Sequence, residues 1–269
     1  MEIEKREART LGKEAECIED IATTFLEFLE TKYPTLQKAW MEHKRRKAAE
    51  KVQEIAETKK YELYVSPISD LHQHIEAGSL DGIFTDPPYD KESLPLWGEL
   101  SEFAMHALKP GGLLLGMTGQ IWQNQVFKQL EMHGLDYTWT ICYLLAGGGG
   151  PRSRIQHLNV FQEWKPILVY KKPGKGIHKS MSGDVVQSVY SDDKDMKDEH
   201  IWGQNMQAVY DTLTKWFEPG MKICDPFVGA GSTLVAAQKA NLFFCGADID
   251  EGNVKITQAN LEKKESDNV

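Results

Sequence analysis

A short turn, Asp86-Pro87-Pro88-Tyr89, carries the residue types that could hold a planar amine for nucleophilic attack. The exocyclic amine of a nucleobase is a poor nucleophile, because its lone pair is delocalised into the ring. Two acceptors on its two N–H bonds, the Asp86 carboxylate and the Pro87 carbonyl, would localise that lone pair and stabilise the charge developing on nitrogen. Prolines fix φ and lack an N–H, so they hold a carbonyl at a set angle. Tyr89 adds a flat face on which an extruded base could stack.

The same turn also fits a simpler structural role. A Pro-Pro turn after a strand, with Asp86 capping a local backbone group, would explain it without chemistry. The preceding residues, 80–85, are mostly apolar and predict a strand. A carboxylate at the end of such a strand favours the chemical role, because ligands bind at that edge of α/β sheets.

A second turn, residues 225–233 (DPFVGAGST), has the composition of a nucleotide-binding loop. It follows a predicted strand and opens a predicted helix, and Gly229 and Gly231 let the backbone approach a ligand. The pattern is neither G-x-G-x-x-G nor G-K-[ST], so neither a dinucleotide nor a triphosphate is favoured. We expect a nucleoside cofactor to contact Asp225, Pro226, Phe227, Gly229, Gly231, Ser232 and Thr233.

The next predicted strand, 243–247, ends at a carboxylate, Asp248. In the dinucleotide-binding pattern an acidic residue at this point grips the ribose diol, and we expect the same of Asp248. The alternative is a helix N-cap, a role for which Asp250 competes.

The two motifs in this order resemble the β-class of DNA amino-methyltransferases. In that class an Asp-Pro-Pro-Tyr motif precedes a D-P-F-x-G-x-G motif that binds S-adenosyl-L-methionine (AdoMet). The resemblance spans about residues 61–262 and implies a circularly permuted, Rossmann-like methyltransferase fold with target recognition between the motifs. Asp at the first motif position is typical of adenine-N6 enzymes, and Ser is commoner in cytosine-N4 enzymes. Small members are often phage or mobile-element enzymes.

Two other segments correspond to family motifs but depart from them. Ser66 and Pro67 stand where the family has Gly-Asp, whose Asp contacts the cofactor adenine, so we assign that contact to no residue. A segment near residue 200 lies where the family has a further cofactor motif, although Gly203-Gln204 replaces the usual Lys-Pro. The cofactor contacts implied there are His200, Trp202, Gln204 and Asn205.

The resemblance implies a site-specific DNA adenine-N6 methyltransferase that extrudes its target base and transfers methyl by direct attack. Its catalytic residues would be Asp86, Pro87, Pro88 and Tyr89, with no metal ion and no obvious general base. The alternatives are an RNA adenine-N6 or DNA cytosine-N4 methyltransferase, and a non-catalytic subunit with the same fold in a larger complex. The intact central motifs favour an enzyme. A homodimer stays open, since the family is often dimeric.

The composition of the chain bears on where the protein works and on what it binds. No apolar run approaches about eighteen residues, the length that spans a membrane, and the chain starts with charged residues rather than an apolar signal region. The four cysteines lack metal spacing, so we expect a reduced, cytoplasmic protein. A net charge of −9 argues against a nucleic-acid partner, but a basic cluster lies between the two motifs. The expected nucleic-acid contacts are Arg152, Arg154, Lys171, Lys172 and Lys175.

The composition and periodicity of the sequence change at about residue 60. Residues 1–60 are highly charged with helical periodicity, which predicts a helical extension for packing or dimerisation, or for DNA binding through the basic residues 44–47. Residues 61–269 predict the methyltransferase domain, with 146–200 as the target-recognition region. The glycine run 147–150 predicts either a loop that closes over an extruded base or a plain linker.

Alternating strands and helices from residue 61 predict an α/β fold, a mixed seven-stranded sheet with helices on both faces. Its ligands would bind at the carboxyl ends of the strands. The predicted strands are 62–65, 81–85, 113–117, 137–145, 166–171, 222–225 and 243–247, and the predicted helices are about 94–108, 120–133, 205–217 and 231–240.

Overall fold

The structure is a computed structural model that describes residues 61–145, 153–155, 158–176, 183–187 and 206–266. The predicted helical extension, 1–60, the glycine run 147–150 and much of the predicted recognition region lie outside these ranges. The strands are β1 (Tyr61–Val65), β2 (Leu80–Thr85), β3 (Leu108–Met117), β4 (Asp136–Leu144), β5 (Ser153–Ile155), β6 (Val160–Gln162), β7 (Trp164–Lys171), β8 (Val185–Gln187), β9 (Lys222–Asp225) and β10 (Phe243–Asp248). The helices are a 3₁₀ helix (Ile68–Gln73), α1 (Leu94–Ala107), α2 (Gln123–Glu131), α3 (Met206–Trp216), α4 (Ser232–Lys239) and α5 (Glu251–Ser266).

Eight of these strands form one mixed sheet in the order β1-β10-β9-β2-β3-β7-β4-β8. The first five in this order are parallel, and β7 runs antiparallel between β3 and β4. All seven predicted strands are present, but the predicted count of seven is wrong. The additional strand, β8, has only three residues and pairs with β4, starting with Val185 opposite Cys142. A segment so short carries no periodicity, so its strand conformation depends on the pairing.

Helices cover both faces of the sheet, as predicted. Successive side chains of a strand point to opposite faces, and β3 shows this alternation. Leu113 and Leu115 join a buried apolar cluster with residues of α3, α4 and α5. Leu114 joins a second cluster, with residues of the 3₁₀ helix, α1 and α2. The strands of the sheet are therefore held between two apolar layers.

A close contact fixes the strand that leads into the Asp-Pro-Pro-Tyr turn. The aromatic ring of Phe217, which follows α3, packs directly onto Gly82 of β2. A Cβ atom at Gly82 would lie 2.2 Å from Cε1 of that ring, so only glycine leaves room. Phe217 is 1% exposed and thus holds β2 against the helical layer.

Among the described residues, no helix is both long and apolar enough to cross a membrane.

Candidate active site

The two motifs lie side by side at one edge of the sheet. β2 and β9 are adjacent and parallel, with Gly82 opposite Ile223 and Ile83 opposite Cys224. Both strands therefore end at the same edge, where Asp86 follows β2 and Asp225 ends β9. The two carboxylates therefore lie at neighbouring strand ends, and their shared site stays a prediction.

A buried hydrogen bond joins the two strand ends. Thr85 Oγ1 donates to Asp225 Oδ1 at 2.6 Å, and the Phe227 backbone N–H donates to the same oxygen at 3.1 Å. Thr85 is fully buried and Asp225 is 2% exposed. Asp225 thus lies beneath the glycine loop and ties it to β2, and its predicted contact with the cofactor stays a prediction.

The environment of Asp225 disfavours its charged form. Burial raises the pKa of Asp225 to about 6, and hydrogen bonds from the side chains of Thr85 and Thr233 oppose that rise. At neutral pH the carboxylate is ionised and depends on these donors, because a buried charge without partners is costly.

The glycine loop has a backbone that side chains rarely adopt. Gly229 has a φ of +50° and Gly231 a φ of +86°. A Cβ at Gly231 would lie 2.7 Å from Cγ2 of Thr257, so α5 packs directly against the loop. Thr257 Oγ1 also donates to the Gly229 carbonyl at 3.0 Å, and Asn260 Nδ2 donates to the Ala230 carbonyl at 3.0 Å. Two side chains of α5 therefore fix the loop.

Asp248 braces the loop from the adjacent strand. Its Oδ2 accepts the Gly229 N–H at 2.9 Å, and its Oδ1 accepts the Asp250 N–H at 2.9 Å. Asp250 in turn accepts the N–H of Gly252 at the start of α5, at 2.7 Å. Capping at this helix start therefore falls to Asp250, and the ribose contact predicted for Asp248 stays a prediction.

The loop geometry fits a nucleoside cofactor. A Cβ at Gly229 would meet no heavy atom within 4 Å, so this face of the loop borders open space. Asp248, half-buried at the adjacent strand end, supplies a carboxylate beside that space. Of the other predicted cofactor residues, Phe227 and Ser232 are half-buried, and Pro226 and Thr233 are buried in the loop.

The Asp-Pro-Pro-Tyr turn is ordered by its own side chains. The Tyr89 hydroxyl donates a hydrogen bond to Asp86 Oδ1. Pro87 is buried, Pro88 is exposed, and the ring of Tyr89 packs against the apolar layer that contains α3. Burial, followed by the neighbouring Asp86, raises the pKa of Tyr89 well above its usual range. Tyr89 therefore keeps its proton for Asp86, and its predicted stacking role stays a prediction.

Sequence reasoning did not include Lys165 among the site residues. Its Nζ lies 4.9 Å from the centroid of the Tyr89 ring and 3.4 Å from the Tyr89 hydroxyl oxygen. A signal for it was present: Lys165 immediately precedes the predicted strand 166–171, which in the structure is antiparallel to both of its neighbours. Such a strand begins at the edge where its parallel neighbours end.

The described lysines predicted to bind nucleic acid lie at the opposite edge of the sheet. Ile167 of β7 is opposite Met117, near the site, but Lys171 is opposite Leu113 at the other end of the pairing. Four residues of strand separate these positions, about 13 Å. Lys172 Nζ donates to the Leu108 carbonyl at 2.7 Å, and the Lys175 carbonyl packs against Gly111. The structure thus does not bring Lys171, Lys172 or Lys175 to the site.

Other predicted residues lie outside what the structure describes. Arg152 and the predicted cofactor motif with His200, Trp202, Gln204 and Asn205 are not among the described residues. Arg154 belongs to β5, but its side chain is not described. Ser66 follows β1 and donates its N–H to the Asp248 carbonyl at 3.0 Å. Among the described residues, no group of three His, Cys, Asp or Glu could hold a metal ion.

Several solved structures have a similar fold. M1.HpyAVI in complex with SAM is 18% identical, with a TM-score of 0.59 over 75% of this chain and 98% of that one. PvuII DNA methyltransferase, described as cytosine-N4-specific, is 14% identical, with a TM-score of 0.62 over 78% of this chain and 91% of that one. The chain has a methyltransferase fold. TTHA0409 from Thermus thermophilus, complexed with S-adenosyl-L-methionine, shares it at 15% identity and a TM-score of 0.57, covering 76% and 94% of the two chains.

At these identities the similarity concerns the fold alone. A scan against models of protein families finds no match, and a search of curated proteins finds none either. Within the methyltransferase fold, the Asp-Pro-Pro-Tyr turn precedes the glycine loop along the chain, in the predicted order.

Proposed function

We propose that this chain is an AdoMet-dependent DNA methyltransferase that methylates N6 of adenine. The observation that carries this proposal is the hydrogen bond from Thr85 to Asp225, which joins the Asp-Pro-Pro-Tyr turn to the glycine loop. This bond fixes the turn that would bind the target amine next to the glycine loop that would bind the nucleoside. The similarity to PvuII DNA methyltransferase, and to two solved structures with S-adenosyl-L-methionine bound, supports the same conclusion.

The glycine loop would hold the cofactor. Gly229 borders open space and its N–H is anchored to Asp248, so a nucleoside can approach the backbone there. We assign the ribose contact to Asp248, which is half-buried at the end of β10. When bound, AdoMet supplies an electrophilic methyl group on a positively charged sulfur.

The catalytic turn would prepare the amine. The Asp86 carboxylate and the Pro87 carbonyl would accept hydrogen bonds from the two N–H groups of the target amine. These bonds concentrate the lone pair on nitrogen and stabilise the positive charge that develops on nitrogen. The Tyr89 hydroxyl holds one oxygen of Asp86 in place. Holding the acceptors in a fixed geometry removes reorganisation from the reaction step, which is where such sites gain most of their rate.

The target base is the finer part of the proposal. Adenine is favoured because Asp, rather than Ser, occupies the first position of the catalytic motif, as in the adenine-N6 enzymes that it resembles. One of the similar structures is described as cytosine-N4-specific, so N4-methylcytosine is a specific second candidate. Both bases carry an exocyclic amine with two N–H bonds, and the same acceptors fit either.

The test is transfer of labelled methyl from AdoMet to duplex DNA, single-stranded DNA and RNA in parallel, with the methylated nucleosides identified by mass. We expect N6-methyladenine in DNA. Asp86→Asn should lower the rate at least about 100-fold, as loss of a charge-stabilising group in an active site does. Its AdoMet affinity, measured by calorimetry, should stay within about threefold, because Asp86 lies outside the glycine loop. Asp136→Asn is the matched control, since Asp136 is exposed at the opposite edge of the sheet.

Each other outcome identifies a different function. Methyl on cytosine would establish the second candidate, and methyl only in RNA would change the substrate class. Cofactor binding without transfer to any nucleic acid would indicate a non-catalytic subunit with this fold.

A further inference from the structure

Lys165 adjoins Tyr89 of the Asp-Pro-Pro-Tyr turn. Lys165 Nζ lies over the face of the Tyr89 ring, 4.9 Å from its centroid, and 3.4 Å from the Tyr89 hydroxyl oxygen. That hydroxyl donates to Asp86 Oδ1. Three side chains therefore form a continuous polar chain that ends at the acceptor of the target amine.

Strand direction brings Lys165 to this place. It lies near the start of β7, paired with Tyr143 of β4, and the carbonyl of the next residue, Pro166, accepts the Thr118 N–H at 3.0 Å. Lys165 is two residues before Ile167, which belongs to the apolar layer against which Tyr89 packs. Because side chains alternate along a strand, Lys165 points to the same face of the sheet as Ile167.

The chemistry of the ammonium group gives this chain a direction. A lysine ammonium only donates hydrogen bonds, whereas a tyrosine hydroxyl has one proton to donate and lone pairs to accept. When Lys165 donates to the Tyr89 oxygen, the single hydroxyl proton is left for Asp86. The cation over the ring also opposes rotation of Tyr89, since such contacts are attractive at this distance.

We propose that Lys165 is a positioning residue for methyl transfer: it holds Tyr89 so that its hydroxyl donates to Asp86, and thereby fixes the carboxylate that binds the target amine. This inference rests on the proposed function. Lys165 acts through Tyr89 and does not itself touch the reacting atoms.

A positioning role predicts an effect on the rate of transfer and not on DNA affinity. Lys165→Met should lower the single-turnover methylation rate on the order of tenfold or more, the effect of losing a charged hydrogen-bond donor. The dissociation constants for duplex DNA and for AdoMet should stay within about threefold. Lys165→Arg keeps the charge, the donors and the contact with the ring, and should recover most of the rate. Lys128→Met is the matched control, because Lys128 is exposed on α2.

Removing the intermediate group tests the chain itself. In the Tyr89→Phe background there is no hydroxyl for Lys165 to orient, so the further effect of Lys165→Met on the rate should fall to within about twofold. The wild type, Lys165→Met, Tyr89→Phe and the double variant should also be unfolded in urea. The shifts of the transition midpoint should be non-additive, which reports the contact between the two side chains without any measurement of activity.

Four outcomes would overturn the inference. An active wild type with an unchanged rate in Lys165→Met refutes it and leaves the proposed function intact. A weaker DNA affinity with an unchanged rate would make Lys165 a phosphate contact instead. Equal losses in the wild-type and Tyr89→Phe backgrounds would mean that Lys165 does not act through Tyr89. A wild type that methylates no nucleic acid overturns the proposed function and this role together.

Discussion

Replacing Thr85 by valine tests the bond that joins the two halves of the site. Valine has nearly the shape of threonine, but it cannot donate to Asp225 Oδ1, the contact that measures 2.6 Å. Both residues are buried, with Asp225 only 2% exposed, so water cannot replace the lost donor. The Phe227 N–H would remain as a donor to the same oxygen.

The size of the effect follows from the charge on Asp225. Its pKa is raised to about 6, so the carboxylate is ionised at pH 7.5. A hydrogen bond to a charged group contributes about 1.5–3 kcal/mol, and we expect Thr85→Val to lower the free energy of unfolding by about 2 kcal/mol. At pH 5 Asp225 is protonated, and a bond between neutral groups contributes about 1 kcal/mol. The loss should therefore be about half as large at pH 5.

The measurement is urea unfolding of the full chain, followed by tryptophan fluorescence at both pH values. At pH 7.5 the melting temperature should also fall by about 4–8 °C, given roughly 2–4 °C per kcal/mol for a domain of this size. Thr85→Ser is the control, because it keeps the hydroxyl and loses one methyl group. Its cost should be about 1 kcal/mol at either pH. A Thr85→Val loss that is the same at both pH values, or no larger than that of Thr85→Ser, would refute the reasoning.

Three further predictions concern the same elements. Gly231→Ala would impose a φ of +86° on alanine and place its Cβ 2.7 Å from the side chain of Thr257. The AdoMet affinity measured by calorimetry should therefore fall at least about tenfold. An unchanged affinity would exclude the glycine loop as the cofactor site. Gly82→Ala would place a Cβ 2.2 Å from the Phe217 ring and should lower the free energy of unfolding, measured in urea, by about 1–3 kcal/mol. Adding Phe217→Leu to the same chain should restore part of that loss. If it restores none, the Phe217 ring is not the obstacle. The folded-state pKa of Asp225, about 6, exceeds the usual value of about 4, so between these pH values the native protein keeps a proton that the unfolded chain has released. Relative to Asp225→Asn, the free energy of unfolding should therefore fall by about 3 kcal/mol as pH rises from about 4 to about 6. A difference in unfolding free energy that does not depend on pH would contradict this.

Much of the fold could be predicted because its central elements are locally encoded. β2, β9 and β10 are apolar runs that stop at a turn, and all three begin and end within one residue of the predicted bounds. β8 and α5 were not predicted. β8 is three residues long, and α5 is largely polar with only a weak apolar stripe, so neither carries a strong periodic signal.

The candidate site was predictable to the level of its motifs but not of its contacts. Asp86 and Asp225 were both predicted as site residues, and they do lie at neighbouring strand ends. Their roles differ in a way that the sequence does not express, because Asp225 is buried under the loop while Asp86 is half-buried at the turn. Burial is a property of the packed chain and depends on residues far away in the sequence, such as Thr85 for Asp225.

The sequence by itself determined that two carboxylates end two strands, one before a rigid proline turn and one before a glycine-rich helix start. These features follow from local preferences: proline fixes φ, glycine permits positive φ, and apolar runs favour buried strands. The tertiary structure alone decided that β2 lies next to β9, that Lys165 reaches Tyr89, and that Lys171 lies at the far edge. Which strands pair, and in which direction, is set by the burial of two apolar layers assembled from the whole domain, and no local segment contains that information.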